Sequence, residues 1–188
     1  DLSDRDVPGE IVDSVIRDHG RLDIVIATHA RSSHDSFDEV TVEELDRCWT
    51  TNVRSILLLA RAFGRAHAPA ADGVPPTRRL VWFTSGQHHG PMDDEIAYAV
   101  SKGALHQMTA SVANALDGSS IVTNCINPGP VDTGYAHGDA HAWVARRFPD
   151  GKWGTPEHVA AVVAFLCGDE GAWIRGQVLD VDGGWRYS

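Results

Sequence analysis

An α/β fold, with a parallel sheet covered by helices on both faces, is predicted by three features of the sequence. Segments with helical spacing of apolar residues alternate with short runs rich in β-branched residues along the whole chain. The runs are continuously apolar, as strands buried on both faces of a parallel sheet are. The 188 residues are 43% hydrophobic and 22% charged, which suits a folded α/β domain, and no internal repeat or low-complexity tract interrupts them. One domain spanning residues 1–188 is expected.

Val7, Ile11, Val12, Val15 and Ile16 recur at helical spacing, and Gly20 supplies a C-terminal stop. Leu22 to Thr28 reads as the first strand. Thr41 and Glu44 form a capping-box pair at the start of a long helix reaching about Ala66, with Leu45, Trp49, Val53, Ile56 and Leu57 expected on its inner side. The Ala/Pro/Gly-rich stretch from His67 to Pro76 reads as a surface loop. Leu80 to Thr84 is a second strand leading into a loop at Ser85. A helix from about Ala97 to Leu116 follows, then a strand at Ile121–Ile126 that Pro128-Gly129 ends. Thr155-Pro156-Glu157 combines a cap, a first-turn proline and an acid at a helix start, and this helix stops near Gly168. Val178 to Val181 is the last strand, before Asp182-Gly183-Gly184.

Composition excludes several classes of function. A net charge of −10 argues against a nucleic-acid or acidic-membrane surface, where basic patches are expected. No apolar run approaches the ~20 residues of a membrane span, and nothing at the start reads as a signal peptide. Cys48, Cys125 and Cys167 are odd in number and widely spaced, which fits buried free thiols in a reducing cytoplasm. His137 and His141 flank Asp139 and could share a helical face. The segment reads instead as a glycine-containing loop without a third ligand, so no metal is expected. His88 and His89 are adjacent, would tend to point apart, and read as loop residues.

The chemistry concentrates around Tyr98 and Lys102. Four residues apart on a helix, they share one face, so the ammonium can sit beside the phenol. A phenol with a pKa of about 10 is a poor base at neutral pH, and a neighbouring cation favours its ionised form. Moving it from about 10 to about 7 requires ~4 kcal/mol of differential stabilisation. Ser85, thirteen residues upstream, follows an apolar strand, and the intervening loop could return it over the helix start. The three residues offer a proton donor, its electrostatic tuner and a hydroxyl to grip a carbonyl oxygen. Asn52 is a poor mid-helix residue because its amide competes with the backbone. It reads either as a polar group of the site or as a helix-kink residue.

Asn52, Ser85, Tyr98-x-x-x-Lys102 and Asn127-Pro128-Gly129-Pro130-Val131-Asp132-Thr133, in this order, resemble the short-chain dehydrogenase/reductase family from residue 1 to about Gly184. The resemblance implies a Rossmann-like doubly wound parallel sheet and NAD or NADP as cofactor. It implies hydride transfer between the nicotinamide and a small carbonyl or alcohol substrate. Tyr98 would be the general acid/base. Lys102 would lower its pKa and bind the nicotinamide ribose, Ser85 would hold the substrate oxygen, and Asn52 would bind a water that relays protons from Lys102. Pro128, Gly129, Val131 and Thr133 would form the nicotinamide shelf, while Asp1, Leu2, Ala27 and Thr28 are the remaining cofactor contacts. The segment from Tyr135 to Trp153, with Trp143 and Phe148, would be an apolar lid. A homodimer or homotetramer would pair the helices at Val42–Ala66 and Ala97–Leu116 with their mates.

Two departures accompany the resemblance. Ala27-Thr28-His29-Ala30 stands where the family usually has Asn-Asn-Ala-Gly, so asparagine side-chain bonds are lost and His29 reads as a packing variant. No Gly-x-x-x-Gly-x-Gly occurs, and Asp1-Leu2-Ser3 resembles the end of the family's third strand. About two βα units, on the order of 60 residues, would precede residue 1. The Leu22–Thr28 strand would then present an apolar edge, covered in a longer protein, by oligomerisation or by rearrangement. Two functions follow: a nicotinamide-dependent oxidoreductase, or a non-catalytic truncated scaffold that acts in binding or assembly.

Overall fold

The structure is a computed structural model that describes residues 1–67 and 77–186. Apart from His67, the expected loop to Pro76 lies outside the described residues. The strands β1 (Ile24–Ala27), β2 (Arg78–Phe83), β3 (Ile121–Asn127) and β4 (Val178–Asp180) form one sheet in the order β1-β2-β3-β4. All three pairings are parallel, with Ala27 opposite Trp82, Trp82 opposite Cys125 and Cys125 opposite Val178. The sequential order needs a crossover after each strand, and the helices supply them.

Helix α1 (Val7–His19) ends at Gly20, whose φ of 77° is the left-handed conformation that closes a helix without a Cβ clash. The expected long helix is three pieces: α2 (Val42–Cys48), a π-helical turn at Trp49–Arg54, and α3 (Ser55–Arg65). The turn takes an extra residue and shifts the inward face. Val53 and Ile56 are therefore buried, but Leu45, Trp49 and Leu57 remain exposed, contrary to the inner side expected for them. The capping box is half made. Thr41 Oγ1 accepts from the Glu44 amide at 3.1 Å, while the Glu44 carboxylate turns to Arg31 instead.

Helix α4 (Ile96–Leu116) joins α1 and α3 on one face of the sheet, around Val12, Phe63, Leu80, Trp82, Leu105 and Cys125. A short helix α5 (Gly138–Ala145) replaces the loop expected around His137 and His141. Helix α6 (Pro156–Cys167) packs Val159, Val163 and Leu166 on Val81 and Ile126 of the opposite face. Arg79, buried in β2, donates to the carbonyls of Leu166 and Gly168, each at 3.1 Å. Its charge thus satisfies the orphan acceptors at the end of α6 and fastens that helix to the sheet.

The strand predicted to be buried on both faces is not. Ile24 and Ile26 are 43% and 44% exposed on the α6 side, because β1 pairs only with β2 among the described residues and α6 stops short of it. Asp1 to Ser3 do not continue a strand. The Asp4 amide donates to the Asp1 carbonyl at 3.1 Å, closing a turn.

Candidate active site

The start of α4 is held by residues that sequence reasoning missed. After β1 the chain runs across the helix end, where Asp35 Oδ2 accepts from the Ala97 amide at 2.9 Å and Ser33 Oγ accepts from the Tyr98 amide at 3.1 Å. These contacts satisfy two of the free N–H groups of the first turn and fix where Tyr98 emerges. Asn52 is fully buried and clamps the same region. Its Oδ1 accepts from the Arg31 amide at 2.7 Å, and its Nδ2 donates to the Arg31 carbonyl at 2.9 Å and to Ser101 Oγ at 2.8 Å. Both amide hydrogens are used. Asn52 is the residue of the helix irregularity and a three-way tie between loop, α3 entrance and α4; its side chain has no hydrogen left to donate to a relay water.

The end of β2 is stitched to α4 one turn further on. Thr84 Oγ1 donates to the Lys102 carbonyl at 2.8 Å, and Lys102 Nζ donates to the Phe83 carbonyl at 2.8 Å. Lys102 is 2% exposed, and burial lowers its pKa to about 8. Its Nζ lies 5.5 Å from the centroid of the Tyr98 ring. Ser85, held through its amide by Gln87 Oε1 at 3.2 Å, lies close enough to the Tyr98 phenol to lower its pKa. The structure thus brings Ser85, Tyr98 and Lys102 together.

The electrostatics differ from the expectation. Burial raises the Tyr98 pKa above that of a free phenol, Ser85 offsets part of this, and Glu95 adds to the rise. The Lys102 ammonium gives one of its three N–H groups to the Phe83 carbonyl, and the phenol, its pKa raised, stays protonated at neutral pH. Glu95 was not singled out from the sequence. Its own pKa is raised by burial, and it acts on Tyr135 as well, whose phenol burial pushes up to about 12.

A cavity of about 600 Å³ opens from this cluster. Tyr98, Lys102, Thr28, Pro128 and Val131 line one end, and Ile24, Ile26, Val163 and Cys167 line the other. That is a ligand-sized, mostly apolar space with a few convergent polar groups. Asn52, Ser85, Ala27, Gly129, Thr133, Asp1 and Leu2 do not line it. Ala27 packs in the core on the opposite face, Thr133 is exposed, and Asp1 and Leu2 sit in the N-terminal turn. Gly129, with φ of 59°, lies against the end of the sheet, where an added Cβ would come 2.5 Å from Asp182 Cβ. Gly129→Ala should therefore cost roughly 2–3 kcal/mol from backbone strain and overpacking, read as a lower denaturation midpoint. An unchanged midpoint would contradict the tight approach.

His29 Nε2 meets Ser55 Oγ at 2.8 Å, and burial followed by the Lys102 charge lowers its pKa, which fits its reading as a packing residue. In the segment expected to be a lid, Phe148 and Trp153 are buried and Trp143 is half exposed. His141 stacks on Trp153 at 4.8 Å and bonds Asp132 at 3.2 Å. His88 and His89 do not point apart: both Nε2 atoms reach Asp180 Oδ1, at 3.2 and 2.9 Å. The three cysteines are free, with Cys48 and Cys125 buried. Among the described residues no helix is long and apolar enough to cross a membrane.

Comparison with known proteins places this arrangement. A family model described as enoyl-(acyl carrier protein) reductase matches residues 1–186. An uncharacterized oxidoreductase of Bacillus subtilis, YjdA, is 34% identical over 186 residues, which are 98% of this chain and 72% of the relative. The 3-oxoacyl-[acyl-carrier-protein] reductase FabG of Thermotoga maritima is 27% identical, over 97% of this chain and 74% of its own length. A short chain dehydrogenase from Burkholderia cenocepacia, crystallised in complex with NADP, superposes with a TM-score of 0.86 at 31% identity, covering 98% of this chain and 74% of that one. The parallel Rossmann-like sheet and these matches agree, and the chain belongs to the short-chain dehydrogenase/reductase family.

Proposed function

We propose that Ser85, Tyr98 and Lys102 form the acid–base centre of a nicotinamide-dependent oxidoreductase acting on a small carbonyl or alcohol substrate. The observation that carries this reading is Tyr98 and Lys102, one helical turn apart, together lining an apolar cavity, with Ser85 near enough to the phenol to act on it. The residues fit the nicotinamide half of a cofactor: the cavity has the room, and Gly129 keeps the chain pressed to the end of the sheet where a side chain would not fit. Thr28, Pro128, Val131, Tyr98 and Lys102 would hold it there. Gly129 would shape the shelf, Thr133 would offer its hydroxyl, and the backbone at Ala27, Asp1 and Leu2 would serve the adenosine side. NAD or NADP, when bound, supplies the hydride donor or acceptor.

The chain's own residues handle the oxygen. Ser85 donates a hydrogen bond to the substrate oxygen and orients it towards the Tyr98 phenol. Tyr98, held protonated by burial, gives its proton to the oxygen as negative charge develops there during carbonyl reduction. Lys102 is positioned by the Phe83 carbonyl and keeps a positive charge beside the ring up to about pH 8. Titration of the protein with NADH and with NADPH, followed by cofactor fluorescence, tests the proposal. Saturable binding of one of them supports it, and saturation by neither removes it. The second result would favour a binding or assembly role, which the exposed Ile24 and Ile26 of β1 suggest.

We also infer a homodimer or homotetramer through α2 and α4, where exposed Leu45, Trp49 and Val100 flank one groove. Light scattering should give a multiple of the 20.3 kDa chain mass, and Trp49→Glu should lower it to the single-chain value. A monomer in both samples would contradict the assembly.

A further inference from the structure

We infer a divalent transition-metal site formed by His88, His89 and Asp180, outside the cavity at the Tyr98 cluster. Three elements far apart in sequence meet here: the 3-10 turn after Ser85, the end of β4, and α4 through His106. The Nε2 atoms of His88 and His89 lie 3.2 and 2.9 Å from one oxygen of Asp180, and the three ligand atoms all fall within 4.8 Å of one another. Tetrahedral zinc, with bonds of about 2.0–2.2 Å, sets its ligands roughly 3.4 Å apart, so each imidazole–carboxylate spacing needs to change by only a few tenths of an ångström.

The surroundings hold these ligands in place. Asn127 Nδ2 donates to the same Asp180 oxygen at 2.8 Å and so orients the carboxylate from the floor of the sheet. The His106 ring packs against that of His88, with centroids 4.6 Å apart, and limits its rotation. Outer partners of this kind decide the direction in which a ligand atom faces. Two imidazoles and one carboxylate suit zinc, cobalt or nickel better than magnesium or calcium, whose preferred ligands are all oxygen. Each side chain is partly exposed, which leaves a path for the ion and a coordination position for water. The net charge of −10 favours cation approach.

A metal here would pin the turn that begins at Ser85 to the end of β4. Through Asn127, whose Oδ1 accepts from the Gly129 amide at 3.1 Å, it would also reach the Pro128-Gly129 shelf. The ion is a positioning element in this account, and its binding does not depend on the proposed reaction.

Titration of the purified protein with Co²⁺ alone tests the site, read by the visible d–d bands of the bound ion and by calorimetry. One Co²⁺ per chain is expected, displaced by Zn²⁺. Removing an outer partner alone typically costs about ten- to a hundredfold in affinity, so His88→Gln, His89→Gln and Asp180→Asn should each weaken binding at least about tenfold. The first two alter partly exposed side chains, and the third keeps the shape of the carboxylate, so folding is expected to survive. His137→Ala with His141→Ala, at the start of and within α5, should leave binding unchanged. Hydrogen exchange across residues 85–90 should slow on metal addition. Failure of the parent protein to bind Co²⁺, or binding equally strong in all three site variants, would overturn the assignment.

Discussion

Tyr98→Phe is expected to lower turnover by about two to four orders of magnitude while leaving nicotinamide affinity nearly unchanged. The substitution removes one oxygen from a ring that the α4 start and the Ser85 turn already hold in place. Packing and cavity shape persist, because phenylalanine fills the same volume. What is lost is the proposed acid for an oxygen bound at Ser85, and a positioned acid contributes roughly 10²–10⁴-fold. Initial rates across a panel of ketones, together with cofactor titration, separate the two effects. Equal rates in parent and variant would remove Tyr98 from the reaction. Loss of both rate and affinity would mean that the phenol matters to binding.

Lys102→Met should change the pH dependence of folding stability by about 3 kcal/mol. Burial lowers the Lys102 pKa from 10.5 to about 8, so between those values the unfolded chain holds a proton on this group that the folded chain has released. Stability from this group therefore rises with pH across that window, and below about pH 8 the full cost of charging a buried amine is carried. The shift corresponds to ~3 kcal/mol. Methionine removes that cost but orphans the Phe83 carbonyl, worth about 1–3 kcal/mol, so the two proteins should be similar near pH 7, or the variant slightly more stable. Near pH 10.5 the parent should have gained ~3 kcal/mol relative to the variant. Denaturant melts at the two pH values measure this difference, in which other titrating groups largely cancel. A difference that does not move with pH would mean that the amine is not desolvated. Catalysis should be lost in the variant throughout.

The parts of this molecule that were legible in its sequence are those set by local spacing. Alternation of helical and β-branched segments located all four strands, and Gly20 and Thr155-Pro156 marked helix ends through backbone preferences that act within one turn. Tyr98 and Lys102 were legible for the same reason, since residues four apart must share a helix face. What escaped depends on partners distant in the chain. Asn52 meets Ser101 across 49 residues, and Asp35 caps Ala97 across 62, and neither contact leaves a periodic signal. The phenol pKa is raised where a lowered one was expected, because burial of the ring, which spacing does not encode, is the largest influence on it. His88 and His89, as adjacent loop residues, were expected to point apart, but the 3-10 turn at Gly86–His88 lets both reach Asp180. The apolar run at β1 reported correctly on a strand made for two-sided cover; it carried no information on whether described residues supply that cover.

The central claim is that a protonated phenol, paired with a serine hydroxyl, serves an oxygen whose carbon receives hydride. Reduced nicotinamide deuterated at C4, incubated with the protein and a ketone panel, tests it by mass spectrometry of the alcohols formed. Deuterium on the carbinol carbon of a product, present with the parent protein and absent with Tyr98→Phe, is the predicted result. Saturable cofactor binding with no labelled alcohol from any ketone, or equal labelling by both proteins, would contradict it.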